Sequence, residues 1–342
     1  LAKLTATGFQ IEQGGDSVNQ NGQTFLYMAI RDLDPLVGKP ALAGTDVFTM
    51  ATGNSSATIP NFTSNFPVDY GTYRETSASA GFENGYRLLQ HQYNYLNNAN
   101  ALASWDKMSF DSNIGWQNQN THGAERQSWM WKRGASMDVS CYTGSGSADY
   151  VYHSLGKIPE MIWVKNREDN TAWVVGHKGL NGGTEPWDYS LRLNTSDGGI
   201  DNATIWNDAA PEINRFTVGT DSDVNNSGYQ YLSLLFASVP GISKVGYFTG
   251  DASANREITV GFSPRFLFYK RTDAGGAGEN WGTFDTLRGW TSGSGNAKIL
   301  YLNTLTAQAN TNYCYPTSTG FVIVEAAAIN GNNANYIYYA HA

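Results

Sequence analysis

Apolar and polar positions in this chain alternate over short stretches. Tyr336, Tyr338 and Ala340 interleave with Ile337, Tyr339 and His341, a period of two that sends successive side chains to opposite faces of a sheet. Met161-Ile162-Trp163-Val164 and Phe266-Leu267-Phe268-Tyr269 are unbroken apolar runs, and each ends in a base, Lys165 or Lys270. Short segments of Val, Ile, Tyr, Phe and Trp bounded by Gly, Asn, Asp and Ser predict strands, with the two lysines marking solvated strand ends. No convincing stretch places apolar residues at i, i+3, i+4 and i+7. Residues 88–103 come nearest to a helix, but Asn97, Asn98 and Asn100 oppose it, because their side chains compete for the backbone. The pattern predicts an all-β chain.

Self-comparison shows that the pattern repeats. Thr-Gly precedes a proline at nearly fixed distance three times, in Thr52-Gly53 to Pro67, Thr143-Gly144 to Pro159 and Thr249-Gly250 to Pro264. Leu191-Arg192-Leu193-Asn194-Thr195 matches Leu300-Tyr301-Leu302-Asn303-Thr304, and Trp173 recurs as Trp281. A strand signature recurs at Phe9, Trp116, Phe216 and Phe321, a spacing of about a hundred residues, which is the size of a domain and not of a solenoid unit.

This register sets boundaries. Residues 1–34 read as the closing strands of a truncated unit and 35–44 as a linker. Three units follow, here called I (45–134, degenerate), II (137–238) and III (242–342). A hundred residues with several such strands suffice for two antiparallel sheets packed face to face. The joints at Arg133-Gly134 and Val239-Pro240-Gly241 are short, so the units are expected in line as a semi-rigid rod. The opening Leu1-Ala2-Lys3-Leu4, without Met, reads as a piece of a longer polypeptide.

Composition narrows the function. Charged residues make up 15% of the 342 and aromatics 13%, with a net charge of -8. This is the opposite of a disordered chain, and no basic stripe exists to neutralise the phosphates of nucleic acid. No apolar run approaches the roughly 20 residues that cross a bilayer. Cys141 and Cys314 match no ligand spacing and read as two buried free thiols in preference to a disulfide.

The string Tyr142-Thr143-Gly144, Pro159-Glu160-Met161, Val164-Lys165-Asn166-Arg167, Trp173, Leu193-Asn194-Thr195 and Phe216-Thr217-Val218-Gly219 resembles tandem repeats of bacteriophage virion proteins, notably of marine phages. Unit III carries the same likeness through Phe248-Thr249-Gly250, Pro264-Arg265, Lys270-Arg271-Thr272-Asp273, Trp281 and Asp285-Thr286. The likeness is strong over 137–342 and weak over 45–134, where the charged strand end becomes Tyr73-Arg74. It implies concanavalin-like or jelly-roll β-sandwiches of about 100 residues in tail fibres or capsid appendages on the virion exterior. It also implies other virion subunits as partners and a homo-oligomer, a trimer by analogy with fibres. No catalytic residues come with it.

The chemistry expected is therefore non-enzymatic: assembly, together with adhesion to host-surface glycans. One alternative is a tailspike polysaccharide depolymerase, which would need two carboxylates about 5 to 10 Å apart across a sugar. The other is a purely structural fibre or capsid decoration protein with no ligand. Sugars stack on aromatic faces and bind amides, so Trp187, Trp290, Trp206, Asn194 and Asn303 are the ligand-binding candidates. Trp173 and Trp281, which recur, read as core plugs. Asp221 and Asp223 are the metal candidates. Calcium would suit their oxygens but takes six or more ligands, so no cofactor is assigned.

Overall fold

A computed structural model describes residues 2–5, 8–11, 22, 43–117, 122–276, 279–293, 297–325 and 329–342, in two units, Leu1–Pro40 and Ala41–Ala342. In the first, β1 (Ala2–Thr5) and β2 (Gly8–Ile11) form an antiparallel hairpin with Leu4 opposite Phe9. The remaining readings there, including Gly14-Gly15-Asp16, Val18-Asn19, the strand at 25–29 and the linker at 35–42, lie outside the described residues.

The second unit is nearly all β. Unit I contains β3 (Phe48–Thr52), β4 (Phe62–Thr63), β5 (Tyr70–Glu75), β6 (Glu83–Tyr86), β7 (Gln92–Tyr95), β8 (Ala103–Ser104), β9 (Gly115–Trp116) and β10 (Arg126–Trp131). Unit II contains β11 (Met137–Thr143), β12 (Asp149–Tyr152), β13 (Met161–Asn166), β14 (Val174–His177), β15 (Tyr189–Arg192), β16 (Ile200–Asp201), α1 (Ala203–Trp206), β17 (Arg215–Val218), α2 (Ser222–Asn225) and β18 (Gln230–Phe236). Unit III contains β19 (Ser243–Thr249), β20 (Arg256–Thr259), β21 (Phe266–Arg271), β22 (Gly282–Asp285), β23 (Ala297–Tyr301), β24 (Ala309–Thr311), β25 (Cys314–Pro316), β26 (Gly320–Ile323) and β27 (Asn335–His341).

Each unit builds the same antiparallel six-stranded sheet, in the orders β3-β10-β5-β6-β7-β8, β11-β18-β13-β14-β15-β16 and β19-β27-β21-β22-β23-β24. Each also has a smaller sheet, β4-β9, β12-β17 or β20-β26-β25. The recurring strand signature lies in the smaller sheets at one register: Phe62 faces Trp116, Val151 faces Phe216 and Ile258 faces Phe321. The Thr-Gly motif ends the first strand of each unit. A Cβ on Gly53, Gly144 or Gly250 would meet the carbonyl oxygen of His122, Asn226 or Gly331 at 2.2, 2.2 and 2.0 Å, so only glycine allows that approach.

The unbroken apolar runs are explained by burial of both sheet faces. Along β13, Ile162 and Val164 enter unit II's own core, where Phe216 and Trp206 also lie. Met161 and Trp163 point the other way, into a core built by all three units. On β21, Leu267 and Tyr269 face the interior of unit III, while Phe266 and Phe268 face the shared core. Unit I divides in the same way, Met130 going inward and Trp129 and Trp131 into the shared core. A strand buried on both sides needs apolar residues at every position, which a period-two pattern cannot provide.

The junctions between units are copies of one another. The backbone N–H of Leu102 donates to Arg167 O at 2.9 Å, Gly199 N–H to Thr272 O at 2.7 Å, and Gln308 N–H to Thr76 O at 2.8 Å. Their acceptors stand two residues beyond Lys165, Lys270 and Arg74. Unit I thus joins II, II joins III, and III returns to I. The expected rod of units in line is corrected: the units close into a ring around a common core.

Candidate functional site

The recurring lysines are not solvated strand ends. Lys165 and Lys270 are fully buried, as is Arg74 at the same strand position. The shared core leaves their heads only backbone carbonyls as partners. Lys165 Nζ donates to Asn166 O and Asp169 O, Lys270 Nζ to Arg271 O and to Ser196 O of unit II, and Arg74 Nη2 to Thr306 O of unit III. Burial lowers both lysines to about 8. Trp173 and Trp281 are buried in the shared core, and each indole N–H bonds the neighbouring unit, to Tyr95 O at 3.0 Å and Arg192 O at 3.2 Å.

The ligand candidates are corrected too. Trp206 and Trp290 are fully buried and Trp187 is 7% exposed. Trp187 and Trp206 meet edge to face at 6.0 Å, and Trp290 donates its indole N–H to Cys314 O. Glycines in a sequence suggest loops, but here the flanking turns fold these rings inward. Asn194 and Asn303 accept the backbone N–H of Trp173 and Trp281, each at 3.0 Å, so they brace the junction tryptophans. Asp221 caps α2 through the Asp223 N–H, and Asp223 pairs with Arg192 at 2.9 Å. Among the described residues no group of three His, Cys, Asp or Glu is placed to hold a metal. Cys314 is buried and free, whereas Cys141, expected buried, is exposed and free, because its side of edge strand β11 turns outward beyond Val139.

An open groove of about 390 Å³ lies on unit III, lined by Ile299, Tyr301, Ala309, Asn310, Thr311, Asn312, Tyr313 and Glu325. It is positioned by the outermost pair of the six-stranded sheet, β23 and β24, and the turn leading to β25. Thr311 pairs with Ala297, and Ala309 with Ile299; Ala297 and Ile299 belong to the unit's core, so the groove reaches into the mouth of the sandwich. In unit II the corresponding stretch of chain forms α1, whose Ile205 and Trp206 are buried in the core. Burial, followed by the neighbouring Tyr313, raises the Tyr301 hydroxyl to about 12. Thr311 Oγ1 is buried without a hydrogen-bond partner. Among the described residues Glu325 carries the one full charge in the lining. The sequence reading passed over these residues, although Asn310-Thr311-Asn312-Tyr313 combines amides with an aromatic in the very way sought elsewhere.

No curated protein matches this chain. The solved structure titled "Crystal Structure of the STIV MCP" is 10% identical and aligns over 60% of this chain and 86% of that one, with a TM-score of 0.14. The family described as "Domain of unknown function (DUF7483)" matches residues 72–342, a span that takes in most of unit I and all of II and III, and the chain belongs to that family.

Proposed function

We propose that this chain is a non-enzymatic component of the exterior of a bacteriophage particle, a tail fibre or capsid appendage, which assembles with other virion subunits and adheres to host-surface glycans. The likeness of its repeats to virion modules supports the context. One observation carries the mechanical reading: Phe48, Trp163 and Phe268, one from each unit, belong to a single core. Three sandwiches joined in this way cannot rotate against one another without exposing that core, which suits a persistent part of a particle. Mass spectrometry and surface labelling of purified phage tests it. Stoichiometric presence on the exterior is expected, and absence from particles overturns the reading. Light scattering of the purified chain tests the homo-oligomer, a trimer being expected.

A purely structural role without a ligand is the second reading, favoured by the burial of Trp187, Trp206 and Trp290. Self-association together with a flat response on a glycan array would select it.

A further inference from the structure

We infer that the groove on unit III, between β24 and Tyr313, is a binding site for a neutral saccharide of one or two rings. This rests on the adhesive half of the function proposed above and gives that adhesion a place. The groove's volume, about 390 Å³, sits at the small end of the ~300–1,000 Å³ typical of ligand pockets.

Its chemistry fits sugar on each count. Tyr301 and Tyr313 present ring surface for the C–H face of a pyranose while keeping polar tips. Asn310 and Asn312 each offer a donor and an acceptor, the pairing that vicinal hydroxyls require. β24 is the outermost strand of its sheet, so among the described residues its outer backbone edge has no strand partner and adds further groups of both kinds. The Thr311 hydroxyl, in the groove's lining, is one of several shielded side-chain groups without a hydrogen-bond partner among the described residues, and a sugar hydroxyl entering there would complete its bond. Charge excludes acidic sugars. Among the described residues of the lining Glu325 is the one charged side chain and no base accompanies it, and the chain's net charge is -8.

The test is a glycan array carrying neutral, N-acetylated and sialylated or uronic oligosaccharides, probed with the full chain and with Tyr313→Ala and Thr311→Val. Expected is binding to neutral or N-acetylated glycans only, insensitive to salt, and weakened about tenfold or more by either variant, the worth of roughly one good contact. Thr311→Val should keep or raise the melting temperature, since it removes an unpaired buried hydroxyl; a purely structural threonine would lower it. Wild-type binding that survives both variants overturns the groove while leaving adhesion standing. Binding confined to acidic glycans overturns the groove's stated ligand. Silence of the wild type on every glycan overturns both adhesion and groove and leaves the structural reading.

Discussion

The N–H of Gln308 donates to the carbonyl of Thr76 at 2.8 Å, tying the last unit back to the first by the same bond that joins I to II and II to III. At this closing junction the equivalent of Trp173 and Trp281 is Phe82, whose ring has no N–H to give. The missing bond is offset elsewhere. Trp129 of unit I donates its indole N–H to Asp285 Oδ2 of unit III at 3.0 Å, and Asp285 in turn holds Arg288 at 2.7 Å with both groups buried.

Asp285→Ala should therefore be the most damaging truncation at the junctions. It leaves the buried Arg288 charge without its carboxylate, though Lys298 O and Thr283 O still accept from it, and the Trp129 indole without an acceptor, a loss of about 3–5 kcal/mol for breaking a buried ion pair from one side. Denaturant unfolding measures it. A loss below about 1 kcal/mol, the level of a surface pair, would show that the closing junction holds little.

A shared core makes unfolding collective. Trp131 lies in contact with Phe48 at 4.8 Å and, across the junction, with Phe266 at 5.8 Å. Trp131→Ala in unit I should lower the stability of unit III as well, by about 3–5 kcal/mol for the whole. Cys314, buried in unit III, reports this without any new label. Its reaction with a thiol reagent should follow the single global transition and accelerate in Trp131→Ala. Independent melting of the three units would instead leave its rate unchanged.

Strand positions, the hundred-residue period and the recurring register of Trp116, Phe216 and Phe321 were legible in the sequence because local pattern and turn residues determine them. What the units do with their second sheet face was not. Lys165 and Lys270 end apolar runs just as solvated bases do, and only the folded chain shows them buried against carbonyls, of their own unit for Lys165 and also of unit II for Lys270. The same holds for Trp187 and Trp290. Glycine-rich surroundings are compatible with an exposed loop or with a tight turn over a core, and side-chain direction separates the two. The groove is not legible for the opposite reason, as Asn310, Thr311, Asn312 and Tyr313 occur in one unit alone and recurrence does not mark them.

The buried lysines give a pH dependence of definite sign. Both are lowered from 10.5 to about 8, so between pH 8 and 10.5 the unfolded chain holds protons that the folded chain has released. Stability should rise across pH 8 to 10. Above 10 the buried tyrosines oppose this, because Tyr70 and Tyr86 are raised far above 10 by burial and ionise only on unfolding. A stability maximum near pH 10 is expected in denaturant titrations. Lys165→Met with Lys270→Met should flatten the rise, and a rise that persists in the double variant would assign it to other groups.

Histidine acts at the acid end. Burial lowers His177 and His341 to about 3 and His122 to about 4 from 6.5. His122 is held neutral by its partners, accepting from Arg126 at Nε2 and meeting Gln117 Oε1 at Nδ1. Below pH 6.5 the unfolded chain takes up protons that the folded chain refuses, so stability falls as pH drops towards 4, by up to about 4 kcal/mol per pH unit if all three act together. Ring proton shifts in the native protein check the cause. These three imidazoles should stay neutral at pH 5, and titration of any of them near 6.5 would remove it from the account.

The smallest substitution with a large expected effect lies under Trp116. Gly71 and Gly85 stand opposite one another on β5 and β6 and leave a bare patch on which the indole lies, its N–H bonded to Ser128 Oγ at 3.0 Å. A Cβ on Gly71 would fall 2.5 Å from the indole, and one on Gly85 would fall 2.7 Å from it. Trp116 is fully buried and ringed by Phe62, Tyr73 and Phe110, so it cannot retreat. Gly71→Ala should cost about 1–3 kcal/mol by overpacking, although alanine suits a strand better than glycine does. Thermal melting of Gly71→Ala alone and combined with Trp116→Phe separates steric from backbone causes. If the smaller ring restores the alanine variant relative to its own glycine parent, the clash is the cause; an equal penalty in both backgrounds would place it in the backbone.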